Sequence, residues 1–265
     1  MSGTAETEAA TRLEVIPIPA LQTNYIYLLH EPVAGVTAAV DPSVAAPVLA
    51  ELQRRGWRLD LILNTHHHHD HVGSNLELKA RTGCRIVGNA ADRARIPGLD
   101  DAVADGGEVG VGRARGQAIA VSGHTIGHMV YWFQDAGLLF SGDTLFSLGC
   151  GRLFEGSPSQ MWASLCRLRA LPAETRVFCG HEYTLDNARF CLTIDPDNRA
   201  LQARAADARR LREAGLPTLP ARLGDEAACN VFLRADDPII QRAAGTPAGD
   251  AVAAFAAIRR RKDTF

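Results

Sequence analysis

The stretch "LILNTHHHHDHVGSN", residues 61–75, joins a short apolar run typical of a buried strand to a tract of histidines. Five of the nine histidines in the chain lie within residues 66–71, around a single aspartate. A histidine-rich tract alone can bind metal ions without forming a defined site. If ligands from elsewhere in the chain meet it at the end of a strand, it forms a catalytic metal centre instead.

The spacing of polar residues within this tract favours two ion positions. In an extended backbone, residues i and i+2 point to the same side, so His66 and His68 can bind one ion together. Asp70 and His71 come next, where we expect the chain to turn into a helix after Gly73. Their side chains can therefore reach a second ion beside the first.

Three later strands share one ending, in which an apolar run and a glycine precede a metal-binding side chain. They read "AVSG" before His124, "LLFSG" before Asp143 and "VFCG" before His181. Glycine lets the backbone approach a crowded centre and adopt turns that other residues resist. Because open α/β sheets place their sites at the carboxyl ends of strands, we expect these side chains to meet the histidine tract.

Four strand ends thus supply more ligands than one tetrahedral ion can use: His66, His68, Asp70, His71, His124, Asp143 and His181. Imidazole and carboxylate suit zinc, iron or manganese. The set predicts two divalent ions roughly 3.5–4 Å apart, bridged by the two oxygens of Asp143.

The other histidines and the nearby cysteines have simpler explanations. We expect packing, surface or supporting roles for four histidines: His30, His67, His69 and His128. Cys150 and Cys179 are expected to be small buried packing residues rather than ligands.

The order of apolar patterns predicts an α/β part followed by a smaller helical part. Short strands alternate with helical patterns up to about residue 182, including helices capped by Ser43 and by the Ser157–Gln160 capping box. Beyond Tyr183 the chain is rich in alanine and arginine and shows no further β pattern. We therefore predict domains at 12–182 and 183–265, and a frayed tail over the first eleven or so residues.

Composition excludes several classes of function. The chain has 265 residues, 46% of them hydrophobic, and a formal net charge of −2, which argues against nucleic-acid or membrane partners. Six cysteines without CxxC spacing favour a reducing compartment. The N-terminus has no secretory pattern and no apolar run is long enough to span a membrane, so we expect a cytoplasmic protein. The oligomeric state is left open.

These motifs resemble the metallo-β-lactamase superfamily, whose H-x-H-x-D-H signature is met by residues 66–71. Within that superfamily the chain is most similar to glyoxalase II, the hydroxyacylglutathione hydrolases, through "NYIYLL", "GDTLFSLGCGRLFEG", "CGHEYT" and "RRRKDTF". The resemblance covers residues 13–265. It implies a four-layered αββα metallo-β-lactamase sandwich followed by a C-terminal helical domain.

The resemblance also implies roles for single residues. One metal would be held by His66, His68 and His124, and the other by Asp70, His71 and His181, with Asp143 between them. Glutathione would be held by Arg152, Tyr183, Arg259 and Lys262. The implied reaction is hydrolysis of S-D-lactoylglutathione and related S-2-hydroxyacylglutathiones by a hydroxide activated between two metal ions, zinc first among the candidates, with Asp70 aiming the hydroxide.

Three positions depart from the family pattern. Arg152 replaces a common lysine, His69 replaces a tryptophan often found inside the signature, and Val231 replaces a proline after the asparagine of "CNVFLR". The change at Val231 could alter a loop near the substrate.

Four alternatives remain on sequence grounds. A persulfide dioxygenase of the same superfamily would use a single iron and O₂, but usually lacks the helical extension. A β-lactamase, a nucleic-acid hydrolase and a non-catalytic metal-binding module are the others. The absence of export signals argues against a β-lactamase, and the net charge argues against a nucleic-acid hydrolase. The complete ligand set argues against a non-catalytic module.

Overall fold

Two six-stranded sheets pack face to face and carry helices on their outer sides in the computed structural model, which describes residues 13–265. The predicted four-layered αββα sandwich is therefore confirmed. The predicted N-terminal tail lies outside the described residues. Within residues 13–265, no helix is both long enough and apolar enough to cross a bilayer.

The first sheet contains the strand that leads into the histidine tract. Its strands are β1 (Glu14–Ala20), β2 (Asn24–Glu31), β3 (Val36–Val40), β4 (Leu61–Leu63), β5 (Arg85–Asn89) and β6 (Asp101–Val103), in that spatial order. Strands β1 to β3 are antiparallel, and β3 to β6 are parallel. Its connections contain α1 (Ala45–Arg55), α2 (His69–Val72), α3 (Asn75–Thr82) and a 3-10 turn (Ala90–Asp92).

The second sheet supplies the other strand ends that were predicted to carry ligands. Its elements along the chain are β7 (Glu108–Val111), β8 (Ala114–Ala120), β9 (Met129–Phe133), β10 (Leu138–Gly142), the two-stranded ribbon β11 (Leu145–Phe146) and β12 (Gly149–Cys150), α4 (Pro158–Arg169) and β13 (Arg176–Cys179). Strands β10 and β13 are parallel, so the residues that follow them emerge at the same edge.

The C-terminal part is helical, as predicted, except for one short strand. Its elements are α5 (Thr184–Ile194), α6 (Arg199–Glu213), β14 (Ala221–Arg222), α7 (Leu223–Cys229), α8 (Pro238–Ala244) and α9 (Ala251–Asp263). The expectation of no further β structure was wrong, because β14 pairs antiparallel with β13 at the edge of the second sheet. A strand of two residues is too short to show alternation in the sequence.

The core lies in three layers that follow from the two faces of each sheet. Aromatic side chains fill the space between the sheets, and Tyr131, Phe133 and Phe140 are fully buried there. Aliphatic residues of the first sheet pack against α1 and α3. The outer face of the second sheet packs against α4 and the C-terminal helices. The C-terminal part therefore shares a continuous core with the second sheet.

Helix ends confirm one predicted cap and correct another. Ser157 and Gln160 form the predicted capping box at the start of α4. Ser43 does not cap α1: the N-cap is Val44, no side chain caps the helix, and the buried Ser43 hydroxyl has no partner within residues 13–265. Helix α1 ends at Gly56 in the left-handed conformation, as predicted.

Candidate metal centre

The histidine tract and the three glycine-terminated strands converge at one edge of the sandwich. His66 follows β4, while Asp70 and His71 lie on α2. The helix expected after Gly73 is α3, which begins at Asn75, and an additional short helix that was not predicted already begins at His69. This short helix brings Asp70 and His71 beside the strand end.

Three imidazoles form the first ligand group. The Nε2 atom of His66 lies 3.0 Å from Nδ1 of His68, and Nε2 of His124 lies 3.0 Å from the same atom. Such short spacings between nitrogens that point at a common centre are those of ligands around one cation.

Asp70, His71 and His181 form the second group. The Oδ2 atom of Asp70 lies 3.5 Å from Nε2 of His71 and 3.4 Å from Nε2 of His181. Asn24 donates a hydrogen bond to this oxygen over 3.0 Å and fixes the carboxylate. Asn24 was not predicted as a site residue.

Asp143 lies between the two groups. Its Oδ2 atom is 3.6 Å from Nε2 of His124 in the first group and 3.4 Å from Nε2 of His181 in the second. Its Oδ1 atom is 3.5 Å from Nε2 of His71. The carboxylate therefore faces both groups at once, which is the geometry that a bridging ligand requires.

Hydrogen bonds on the far side of each ring orient the imidazoles. The Nδ1 atom of His124 donates to the carbonyl oxygen of Arg152 over 2.8 Å, which leaves Nε2 unprotonated and free to bind a cation. Nδ1 of His181 lies 3.0 Å from the hydroxyl of Thr23, and Nδ1 of His66 lies 3.0 Å from that of Thr65.

Asp41 is the main supporting residue that sequence reasoning missed. Its Oδ2 atom lies 3.0 Å from Nδ1 of His71 and accepts a hydrogen bond from the Thr65 hydroxyl over 2.6 Å. Its Oδ1 atom accepts from the backbone N–H of Thr65 over 2.7 Å. Because both oxygens are already engaged, Asp41 orients the ring of His71 rather than facing the centre. Asp41 directly follows β3, and this position at a strand end is the sequence feature that could have identified it as a site residue.

Burial sets the protonation states of the first group. Burial, with a contribution from neighbouring imidazoles, lowers the pKa of His68 to about 4 and holds the pKa of His66 well below its usual value. Burial also lowers the pKa of His124. These rings are therefore neutral at pH 7 and have lone pairs available for a cation.

The second group is tuned by charge. Burial alone would raise the pKa of Asp143, but His71 and His181 outweigh it and hold that pKa well below its usual range. Burial would lower the pKa of His71, yet Asp143 and Asp41 raise it well above its usual value. Asp143 is thus an ionised carboxylate at pH 7.

Two glycines are required by close approach. Gly142 has φ +49°, and a Cβ atom there would lie 2.5 Å from the hydroxyl of Thr65. A Cβ atom at Gly180 would lie 2.6 Å from Oδ1 of Asp143. The glycine endings noticed in the sequence therefore leave the room in which the ligands meet.

The histidines that were predicted to have other roles lie around the centre or away from it. His128 is buried and accepts a hydrogen bond from the backbone N–H of Asp143. His67 contacts Asp92, His69 is exposed, and His30 stacks on the ring of Trp57. Cys150 and Cys179 are buried free thiols, as expected.

The residues present fit divalent cations. Nε2 of His71 and Oδ1 of Asp143 are buried and have no hydrogen-bond partner within residues 13–265. Unpaired buried polar atoms are costly, and a cation at this point would satisfy both. The protein therefore has a histidine–aspartate cluster able to bind divalent metal.

A pocket of about 470 Å³ opens beside this cluster and is lined by all four predicted glutathione-binding residues: Arg152, Tyr183, Arg259 and Lys262. His124 and Asp143 line it too, so it reaches the ligand cluster. The ring of Tyr183 stacks on that of His181, with centroids 4.7 Å apart.

The cations of this pocket differ in how freely they can meet a ligand. Arg259 is buried and donates to the carbonyl of Cys150 over 2.7 Å and to Asp263 over 3.1 Å. Lys262 pairs with Asp186 over 2.5 Å. Arg152 is largely exposed, and its Nε atom lies 3.8 Å from Asp263. Arg152 is thus the cation that is freest to meet a carboxylate, whereas Arg259 and Lys262 are already engaged within the protein.

Comparisons with known protein families divide the chain near residue 182. Residues 34–181 match the family described as the metallo-beta-lactamase superfamily. Residues 182–265 match the family described as hydroxyacylglutathione hydrolase C-terminus.

Curated relatives are similar over nearly the whole length. The hydroxyacylglutathione hydrolase of Methylococcus capsulatus is 59% identical over 253 residues, covering 96% of this chain and 99% of the relative. That of Rhodospirillum rubrum is 55% identical with the same coverage of each chain.

Solved structures resemble this one in fold. ETHE1 from Myxococcus xanthus aligns with a TM-score of 0.59 and 27% identity, covering 83% of this chain and 99% of that one. A metallo-beta-lactamase from Staphylococcus aureus aligns with a TM-score of 0.65 and 16% identity, covering 95% of this chain and 72% of that one.

Proposed function

Because this chain belongs to the hydroxyacylglutathione hydrolase family of the metallo-β-lactamase superfamily, we propose that it hydrolyses S-2-hydroxyacylglutathiones, S-D-lactoylglutathione among them. The products are the hydroxy acid, D-lactate in this case, and glutathione. The observation that carries the proposal is the pocket that His124 and Asp143 of the ligand cluster line together with the cations Arg152 and Lys262.

We further propose that the cluster holds two divalent ions, with zinc as the first candidate and iron or manganese as alternatives. His66, His68 and His124 would hold one, and Asp70, His71 and His181 the other, with Asp143 bridging. When bound, such ions lower the pKa of water towards ~7 and polarise a carbonyl oxygen. This is the chemistry that thioester hydrolysis needs.

The side chains of this chain would bind and orient the reactants. Asp70, held by Asn24, can accept a hydrogen bond from the attacking water and direct it at the thioester carbonyl. Arg152 and Lys262 can pair with the two carboxylates of glutathione, with Tyr183 and Arg259 completing the pocket. The leaving thiolate has a pKa near ~8.5, so no dedicated general acid is needed.

The setting of the cysteines fits a reducing compartment. All six are free, and five of them are buried. We therefore place the protein in the cytoplasm, where thiols stay reduced and glutathione is abundant.

The proposed function is tested by measuring hydrolysis of S-D-lactoylglutathione with purified protein and by metal analysis of the same sample. S-D-lactoyl-N-acetylcysteamine, which has the same acyl thioester without the peptide, is the matched control substrate. We expect a much lower kcat/KM for the control, because it lacks the carboxylates that the pocket cations would bind.

Two outcomes would contradict the proposal. Equal kcat/KM for both thioesters would show that the pocket does not contribute to binding of the glutathione part of the substrate. Oxygen consumption with glutathione persulfide, together with no thioester hydrolysis and a single iron per chain, would replace the hydrolase by the persulfide dioxygenase alternative.

A further inference from the structure

The ribbon β11–β12 connects the bridging ligand to the substrate pocket but has little support of its own. It consists of two strands of two residues each, and its turn includes Leu148 with φ +57°. An isolated two-stranded ribbon of this length is not stable in water. Asp143 precedes the ribbon and Arg152 follows it, so the position of the ribbon affects both residues. Contacts from other parts of the chain must therefore hold the ribbon in place.

Glu226 on α7 provides part of that support. This residue is only 1% exposed. Its Oε1 atom accepts a hydrogen bond from the Ser147 hydroxyl over 2.7 Å, and its Oε2 atom accepts from the backbone N–H of Leu148 over 2.7 Å. Burial raises the pKa of Glu226, while the donors from Leu148, Ser147 and Asn230 favour its ionised form. The ionised carboxylate is a charged acceptor, and such an acceptor for a backbone N–H makes one of the stronger hydrogen bonds in proteins.

Asn230, one turn later, holds the carbonyl groups of the same ribbon. Its side-chain amide donates to the carbonyl oxygen of Gly149 over 3.1 Å and of Phe146 over 3.3 Å. It also lies 3.1 Å from Oε2 of Glu226, to which it donates. This accounts for the asparagine of "CNVFLR", whose following Val231 is buried in the core instead of approaching the substrate.

The residues at the end of the ribbon contact both the substrate pocket and the ligand cluster. The carbonyl of Cys150 accepts from Arg259, and the carbonyl of Arg152 accepts from Nδ1 of His124. A shift of residues 149–152 would therefore move Arg152, a cation that lines the pocket. It would also turn the ring of His124, a candidate metal ligand.

We propose that Glu226 and Asn230 are positioning residues that clamp the ribbon of residues 145–150, and that the helical part thereby sets both substrate affinity and the orientation of His124. The inference rests on the proposed function for its kinetic readout. Neither side chain lines the substrate pocket, so both act through the ribbon.

Glu31 offers a matched control for Glu226. It is also 1% exposed and also accepts backbone hydrogen bonds, from Val33 and Ala34 over 2.9 Å each. It lies at the opposite end of β2 from Asn24, away from the ligand cluster. Glu31→Ala thus removes a carboxylate of equally low exposure with no connection to the ribbon, although the pKa of Glu31 is lowered by backbone donors whereas burial raises that of Glu226.

The experiment compares Glu226→Ala, Glu226→Gln and Glu31→Ala in the metal-loaded full chain. We expect Glu226→Ala to lower kcat/KM for S-D-lactoylglutathione about 10- to 100-fold, the range for displaced supporting groups. Glu226→Gln keeps an acceptor for Leu148 and should lose less. Glu31→Ala should lower Tm but change kcat/KM less than about twofold. Similar small kinetic losses in both alanine variants would overturn the clamp.

Amide hydrogen exchange gives a second readout that does not depend on activity. The N–H of Leu148 should exchange several-fold faster in Glu226→Gln than in the parent, because a neutral acceptor holds it less strongly. If Glu226→Ala does not fold, Glu226→Gln tests the clamp instead. Unchanged exchange of Leu148 together with an unchanged KM in Glu226→Gln would refute the clamp.

The two proposals can fail separately. A parent protein that does not hydrolyse the thioester contradicts the proposed function but leaves the clamp to be judged by exchange of residues 145–152 and by metal content. Metal content should fall in Glu226→Ala but not in Glu31→Ala, since only the former loosens the carbonyl that orients His124.

Discussion

Asp143→Asn tests the two-ion proposal most directly, because it changes one atom and removes one charge. The carboxylate lies 3.4 Å from Nε2 of His181, 3.5 Å from Nε2 of His71 and 3.6 Å from Nε2 of His124. The carboxylate therefore contacts both ligand groups. Asparagine keeps the shape and loses the charge.

The expected loss follows from electrostatics. A unit-charge pair about 4 Å apart contributes roughly 4 kcal/mol at an effective dielectric of about 20, and a divalent ion doubles this. Since about 1.4 kcal/mol corresponds to a factor of ten, metal affinity should fall by at least about two to three orders of magnitude. We expect the variant to keep at most one ion per chain and to lose most of its thioesterase activity.

The assay is metal analysis after dialysis, with kcat and KM measured on the same sample. Asp135→Asn is the control, because Asp135 is an exposed residue between β9 and β10. A variant at position 143 that retains two ions and the parent kcat would refute the bridging role. Loss of both metal and activity in the Asp135 control would show that the effect is not specific.

Three further predictions concern the pocket, the backbone and the pH dependence. Lys262→Ala should raise KM about tenfold with little change in kcat, because its contact is remote from the carbonyl, whereas the exposed Arg260→Ala should change neither. Gly142→Ala should cost at least about 3 kcal/mol in urea unfolding, since its Cβ would meet Thr65, while Gly56→Ala, which also has a positive φ but open space around it, should cost about 1 kcal/mol. Burial and neighbouring imidazoles lower the pKa of His68 to about 4 from 6.5, so in metal-free protein this ring takes up a proton on unfolding between those values. Its contribution to stability is complete above pH 6.5 and is lost as the pH falls towards 4, and His68→Gln should flatten that slope in chemical denaturation.

The ligand cluster could be predicted from the sequence because its members follow a repeated local pattern. An apolar run followed by a glycine and a metal-binding side chain marks a strand end, and such ends meet at one edge of a sheet. The structure brings His124, Asp143 and His181 to the histidine tract as this pattern predicts. The assignment of each residue to a particular ion stays a prediction.

The supporting residues could not be predicted because their roles arise from contacts between distant segments. Asp41 precedes a proline at a strand end, and nothing local shows that its carboxylate meets His71 across 30 positions of sequence. Glu226 lies on the short helix α7, and no local pattern shows that its carboxylate meets the ribbon 78 positions away. The Ser43 cap failed for the opposite reason: the residue type suits a cap, but the helix begins later, at Ala45.

The pairing of β14 with β13 has a consequence for truncated chains. Cutting the polypeptide at the predicted boundary after residue 182 would strip β13 of its outer neighbour and bare the unpaired N–H and C=O groups of an edge strand. It would also expose the apolar surface that the C-terminal helices cover. Such an edge is a template for intermolecular association, so the isolated N-terminal fragment should aggregate rather than persist as a minimal enzyme.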